Sequence, residues 1–110
     1  MTSLLNRIDA LLDAPSNGDA AASLDRVERT LTDGYARALE LELESIRIER
    51  RIGEVAALDG DPEAKADELA VLSRRLGATG DDLDRLRAIL EPLLLHARAL
   101  RAASIEAAAS

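Results

Sequence analysis

A chain of 110 residues with a formal net charge of −7 and no cysteine has room for one domain. Its acidity argues against a general nucleic-acid or anionic-membrane surface, since phosphate binding needs a positive field, and the missing thiols exclude disulfides, thiolate chemistry and cysteine-ligated zinc. Apolar residues make up 47% of the chain, yet there is no Phe or Trp and a single Tyr, an aliphatic composition that suits helix packing and offers no base- or sugar-stacking surface.

Residues 3–13 carry Leu4, Leu5, Ile8, Leu11 and Leu12, the spacing of a short amphipathic helix, with Thr2 or Ser3 placed to cap it. No basic segment precedes an unbroken apolar core here, so no Sec-type leader is expected. No run approaches the ~18 apolar residues of a membrane span, and a soluble cytoplasmic protein is the expectation. Pro15-Ser16-Asn17-Gly18 reads as a turn, and Asp19 can accept the first free amides of the next helix.

That second helix should run over 20–58. Counting in sevens, Leu24, Leu31, Ala38, Ser45 and Ile52 fall at a, and Val27, Gly34, Leu41, Ile48 and Val55 at d. A repeat of 3.5 residues held this long keeps the apolar seam of an under-wound helix on one side, as in a coiled coil. The stretch Leu39-Glu40-Leu41-Glu42-Leu43-Glu44 alternates like a strand, but Leu and Glu are strong helix formers and the heptad passes through it. At 100° per residue, Leu41, Ile48 and Ile52 cluster on one side and Leu39, Leu43 and Ile46 on the other, so the helix has two apolar faces and needs two partners.

Gly60, Asp61 and Pro62 read in turn as a left-handed helix end, an N-cap and a first helical residue with no amide to waste, placing a turn over 59–61. The third helix should span 62–102, with Leu69, Leu76, Leu83, Leu90 and Ala97 at a, Leu72, Thr79, Leu86, Leu93 and Leu100 at d, and fraying over 103–110. Gly77-Ala78-Thr79-Gly80 allows either a break with Thr79 capping a new helix or a loosened continuous helix; the unbroken register of Leu76 and Leu83 favours continuity. Pro92 should kink the helix. The expected architecture is all-α: a single domain over 1–110, a long antiparallel coiled-coil-like hairpin with a short N-terminal helix. A turn centred near residue 60 puts Gly34 and Ala38 near Leu83 and Leu86, and Ser45 near Leu72 and Leu76, so that small residues face large ones, with room for a register slip of about four residues because antiparallel layers can pair a with d or a with a. Helix 1 should pack at the far end, where Ile89 and Leu94 widen the apolar face.

Few residues carry the signature of chemistry. His96 is the only histidine, so neither a histidine dyad nor a multi-histidine metal site can form within one chain, and Glu91 stands five residues before it rather than the three of di-iron bundles. Glu40, Glu42, Glu44 and Glu49 point around a helix instead of converging as acid-base catalysis requires. Tyr35, beside the seam, reads as a packing residue. No catalytic residue, metal or cofactor is expected. Arg47, Arg50, Arg51, Arg74 and Arg75 form the one basic patch, suited to an acidic or phosphorylated partner or to ion pairs with Glu42, Glu44 and Glu49. The turn is acidic through Asp59, Asp61, Glu63, Asp67 and Glu68, and an acidic tip beside an arginine belt would fit head-to-waist pairing of two copies.

Thirteen Arg against a lone Lys65, with abundant Ala, resemble the composition of a high-GC bacterial genome. In size and hairpin form the chain resembles the WXG-type secreted hairpins of such bacteria, although their Trp-x-Gly turn is replaced by Asp59-Gly60-Asp61-Pro62 and their terminal Tyr-x-x-x-Asp/Glu signal is missing. It is also similar to flagellar and type III export chaperones in its amphipathic helices and in Gly60-Asp61-Pro62-Glu63-Ala64. These readings lead to a non-enzymatic interaction module, a self-associating scaffold or adaptor. Leu39, Leu43 and Ile46 would form its homodimer interface in a dimeric helical bundle. The alternative is an export-type chaperone holding an amphipathic client helix on that face. Left in water, the three residues would let two copies gain on the order of 10 kcal/mol by pairing through it, and an obligate dimer is expected.

Overall fold

A computed structural model describes residues 2–13 and 20–109. Every described residue outside 58–61 is helical, and no strand occurs among them. The helices are α1 (Thr2–Asp13), α2 (Ala20–Ala57) and α3 (Pro62–Ala109). The expected turn at Pro15-Ser16-Asn17-Gly18 and the capping role of Asp19 lie outside the described residues. Thr2 and Ser3 stand inside the first turn of α1 instead of ahead of it. The alternating Leu/Glu stretch is helical within α2, as propensity and heptad together require. α3 passes unbroken through Gly77, Gly80 and Pro92 and reaches Ala109, beyond the expected end at 102. Its last segment is rich in alanine, the strongest helix former.

The chain divides into two compact units, Ala38–Arg85 and Met1–Arg37 with Leu86–Ser110. In the first, α2 and α3 pack as a hairpin around Ile48, Val55 and Leu72, flanked by Ile52, Leu69 and Leu76. The turn uses three caps. The Leu58 amide donates to the Val55 carbonyl at 3.2 Å, tightening the last turn of α2. The Lys65 ammonium donates to the Leu58 carbonyl at 2.9 Å, placing positive charge at the negative end of the α2 dipole. Asp61 is the N-cap of α3: its carboxylate accepts the Glu63 amide at 3.2 Å and its carbonyl accepts the Lys65 amide at 3.1 Å. Gly60 does not take the left-handed conformation expected of it, since no described glycine has positive φ. The Leu58 amide and the Lys65 ammonium take the Val55 and Leu58 carbonyls at the end of α2, so these are satisfied without a left-handed cap.

In the second unit the buried apolar residues are Ile8 from α1, Val27 and Leu31 from α2, and Leu86, Leu90, Leu93, Ala97 and Leu100 from α3. Ile8 is fully buried, so the amphipathic face of α1 is docked. Arg7 fixes α1 to α2, donating to the Asp33 carboxylate at 2.7 Å and to the Thr30 hydroxyl at 3.4 Å. The Thr30 hydroxyl in turn donates to the Arg26 carbonyl at 2.9 Å. Arg101 of α3 pairs with Glu28 of α2. Gly34 faces Leu90, one helical turn beyond the Leu86 expected from a turn centred at 60. A Cβ at position 34 would clash with the Cδ2 methyl of Leu90, so any side chain there obliges Leu90 to shift.

Every d position of both helices is buried, and every a position is buried or half-buried. The seven-residue repeat therefore describes the seam of each unit.

Candidate functional site

The apolar seam leaves the opposite side of α2 uncovered. Leu41 and Ile48 are 1% and 3% exposed, while Leu39, Leu43 and Ile46 are 56%, 47% and 49% exposed. Helical geometry requires the split. Leu39 and Ile46 occupy heptad position b and Leu43 position f, which point away from an a/d seam. Within 60° of arc on one helix these side chains form a continuous aliphatic stripe.

A second feature lies beside the seam of the same unit. Arg47 and Arg51 of α2 and Arg75 of α3 rim a groove of about 290 Å³, with Ile48 and Leu72 at its floor and Glu44 at its edge. Three of the five arginines of the expected patch are thus brought together; Arg50 and Arg74 are exposed and do not line the groove. Arg51 is committed, donating to Glu68 at 2.9 Å and to Glu54 at 3.4 Å. The Glu68 hydrogen bond and charge, then the bond to Glu54, hold its guanidinium above its already high ordinary pKa. The belt's ion pairs therefore go to Glu54 and Glu68 instead of to Glu44 and Glu49. Arg47 and Arg75 make no ion pair among the described residues.

The turn carries a residue that the sequence reading passed over. Leu58 is 54% exposed, held at the tip by its own backbone caps and flanked by carboxylates. Asp61 is occupied as a cap and Glu68 as the partner of Arg51. Asp59, Glu63 and Asp67 make no ion pair among the described residues. Leu58 occupies heptad position g, and an apolar g residue at a hairpin tip, where no further turn covers it, was the available signal.

Elsewhere, Tyr35, at position e beside the seam, is half exposed. His96 is half-buried, and no three His, Asp or Glu side chains converge on a point among the described residues. A groove between α1 and α2, lined in part by Leu11, Arg26 and Arg29, was not foreseen; Arg29 is tied to Asp25 at 2.9 Å. No described helix is long and apolar enough to cross a membrane.

No family model, curated protein or solved structure matches the chain. The resemblances to WXG-type hairpins and export chaperones gain no support from these comparisons, and function has to be argued from the exposed stripe, the arginine groove and the tip.

Proposed function

We propose that the protein is a non-enzymatic helical interaction module that associates with copies of itself through the Leu39, Leu43 and Ile46 stripe. The observation behind this reading is the two-faced α2, with one apolar side in the seam and the other about half exposed. Two hairpins laid side by side on these residues would form a four-helix core with the twofold symmetry usual for homodimers.

Exposure sets the strength of that contact. A fully exposed aliphatic side chain gains about 1.5 to 3 kcal/mol on burial; at half exposure, six residues across two copies gain roughly 5 to 9 kcal/mol. Association costs about 4 to 15 kcal/mol in lost freedom, so the stripe alone gives a reversible, concentration-dependent dimer instead of the obligate one that full exposure implies. The same magnitude favours a second reading, in which the stripe accepts an amphipathic helix of a client protein when no second copy occupies it.

Light scattering across a concentration series tests the first reading. The parent should rise from the 11.8 kDa chain mass toward twice that value, and Leu43→Glu with Ile46→Glu should hold it at the chain mass while circular dichroism stays helical. A folded double variant with the parent's mass would falsify the self-association reading. A parent that stays at chain mass and binds an amphipathic helix only when the stripe is intact supports the client reading.

A further inference from the structure

We infer that the arginine groove of the Ala38–Arg85 unit receives the hairpin tip of a second copy, in a contact distinct from the aliphatic stripe. The groove presents an apolar floor, Ile48 and Leu72, under a cationic rim in which Arg47 and Arg75 have no ion-pair partner among the described residues. Its chemical complement is an aliphatic side chain flanked by carboxylates. The tip of the same unit presents that arrangement: Leu58, 54% exposed, beside the carboxylates of Asp59 and Glu63, which make no ion pair among the described residues.

One copy cannot bring the two together. Ile48 and Leu58 are ten positions apart along α2 and its end, about 15 Å at 1.5 Å per residue, and both belong to one packed hairpin. Two copies laid antiparallel resolve this, because a twofold axis midway between groove and tip makes each tip meet the other copy's groove, and every contact occurs twice. The axis falls level with residue 53, so Leu39 and Leu43 lie outside the overlap, and Ile46, level with Gly60 of the other copy, lies on the b and f side of α2, away from Ile48 and Arg51. The tip contact and the stripe contact are therefore separate and can fail independently.

Charge and apolar area also separate them by salt. The tip contact depends on exposed ion pairs, which are screened as the Debye length falls from about 10 Å at 0.1 M to about 3 Å at 1 M salt. The stripe contact is apolar and persists across that range. Electrostatic matching of rim charges also sets which orientations are accepted.

Sedimentation velocity at about 0.1 M and about 1 M salt tests the contact with a charge exchange. The parent should show an association step at low salt that disappears at high salt. The groove variant Arg47→Glu with Arg75→Glu, and the tip variant Asp59→Lys with Glu63→Lys, should each lose the step, weakening it on the order of tenfold or more. Mixed in equal amounts they should regain it, because the acidic groove of one meets the basic tip of the other while the remaining contact pairs native charges. Leu58→Ala should weaken the step in the parent. A mixture no heavier than its components, or a parent whose mass ignores salt, overturns the inference. Salt-sensitive binding of a polyglutamate peptide to the groove, without any low-salt association of the parent, also overturns it and reassigns the groove to an acidic partner chain. Any mass that survives high salt in every sample belongs to the stripe.

Discussion

Glycine residues in these helices separate into two kinds by what surrounds them. A Cβ at Gly53, Gly77 or Gly80 meets open space, whereas one at Gly34 meets buried Leu90. Glycine in a helix interior costs roughly 0.5 to 1 kcal/mol relative to alanine, so Gly53→Ala and Gly77→Ala should each stabilise by about that amount in urea melts. At Gly34 the same propensity gain is opposed by displacement of Leu90, and Gly34→Leu, which overfills the seam, should destabilise by about 1 to 3 kcal/mol. Equal responses at positions 34 and 53 would mean that Leu90 does not occupy the space beside Gly34. The turn gives a parallel contrast. Asp61→Ala removes the N-cap of α3 and should cost about 1 kcal/mol. Gly60→Ala meets no steric or φ obstacle and should be neutral or stabilise by about 0.4 to 1 kcal/mol through the unfolded chain. A clear loss at Gly60 would restore the left-handed cap that the sequence suggests.

Among the elements, α1 depends most on tertiary contact. A 12-residue helix is marginal alone in water, and α1 is held by fully buried Ile8 and by Arg7 on Asp33 and Thr30. Ile8→Ala should cost about 2 to 5 kcal/mol and expose the α1 amides to hydrogen exchange. Unchanged protection of those amides would show that Ile8 does not anchor the helix. How much of such detail a sequence discloses depends on how local the governing physics is. The seam was readable because one repeat fixes which side of a helix is buried, and the uncovered stripe was readable because its residues sit at b and f. The facing of Gly34 by Leu90 lies one turn from the Leu86 of a turn centred at 60, within the slip of about four residues that the sequence leaves open, since antiparallel register is decided by how side chains interlock across two helices. The cap at Gly60 was misjudged because Lys65, five residues onward, supplies the group that a left-handed glycine would have made unnecessary. The arginine groove was half visible: the belt could be counted, but which guanidiniums face Ile48 and Leu72, and which are taken by Glu54 and Glu68, depends on the packed hairpin.

At the scale of the whole molecule, the open question is how stability depends on other copies. A protein whose folded chain associates is stabilised by mass action, so its melting temperature rises with its own concentration. A tenfold increase in concentration is worth about 1.4 kcal/mol per dimer, and 1 kcal/mol shifts the melting temperature of a structure of roughly 200 residues by about 2 to 4 °C. If two chains unfold as one unit through the stripe, melting should rise by about 3 to 5 °C per tenfold concentration, measured at about 1 M salt so that the tip contact is screened. Leu43→Glu with Ile46→Glu should melt at a temperature independent of concentration. Because the stripe is only half exposed, the parent's dependence should set in only above its dissociation constant, within an accessible concentration range. A flat parent curve at a mass equal to one chain would remove the stripe dimer, and a flat curve at twice that mass would mean that the two chains stay associated when they unfold.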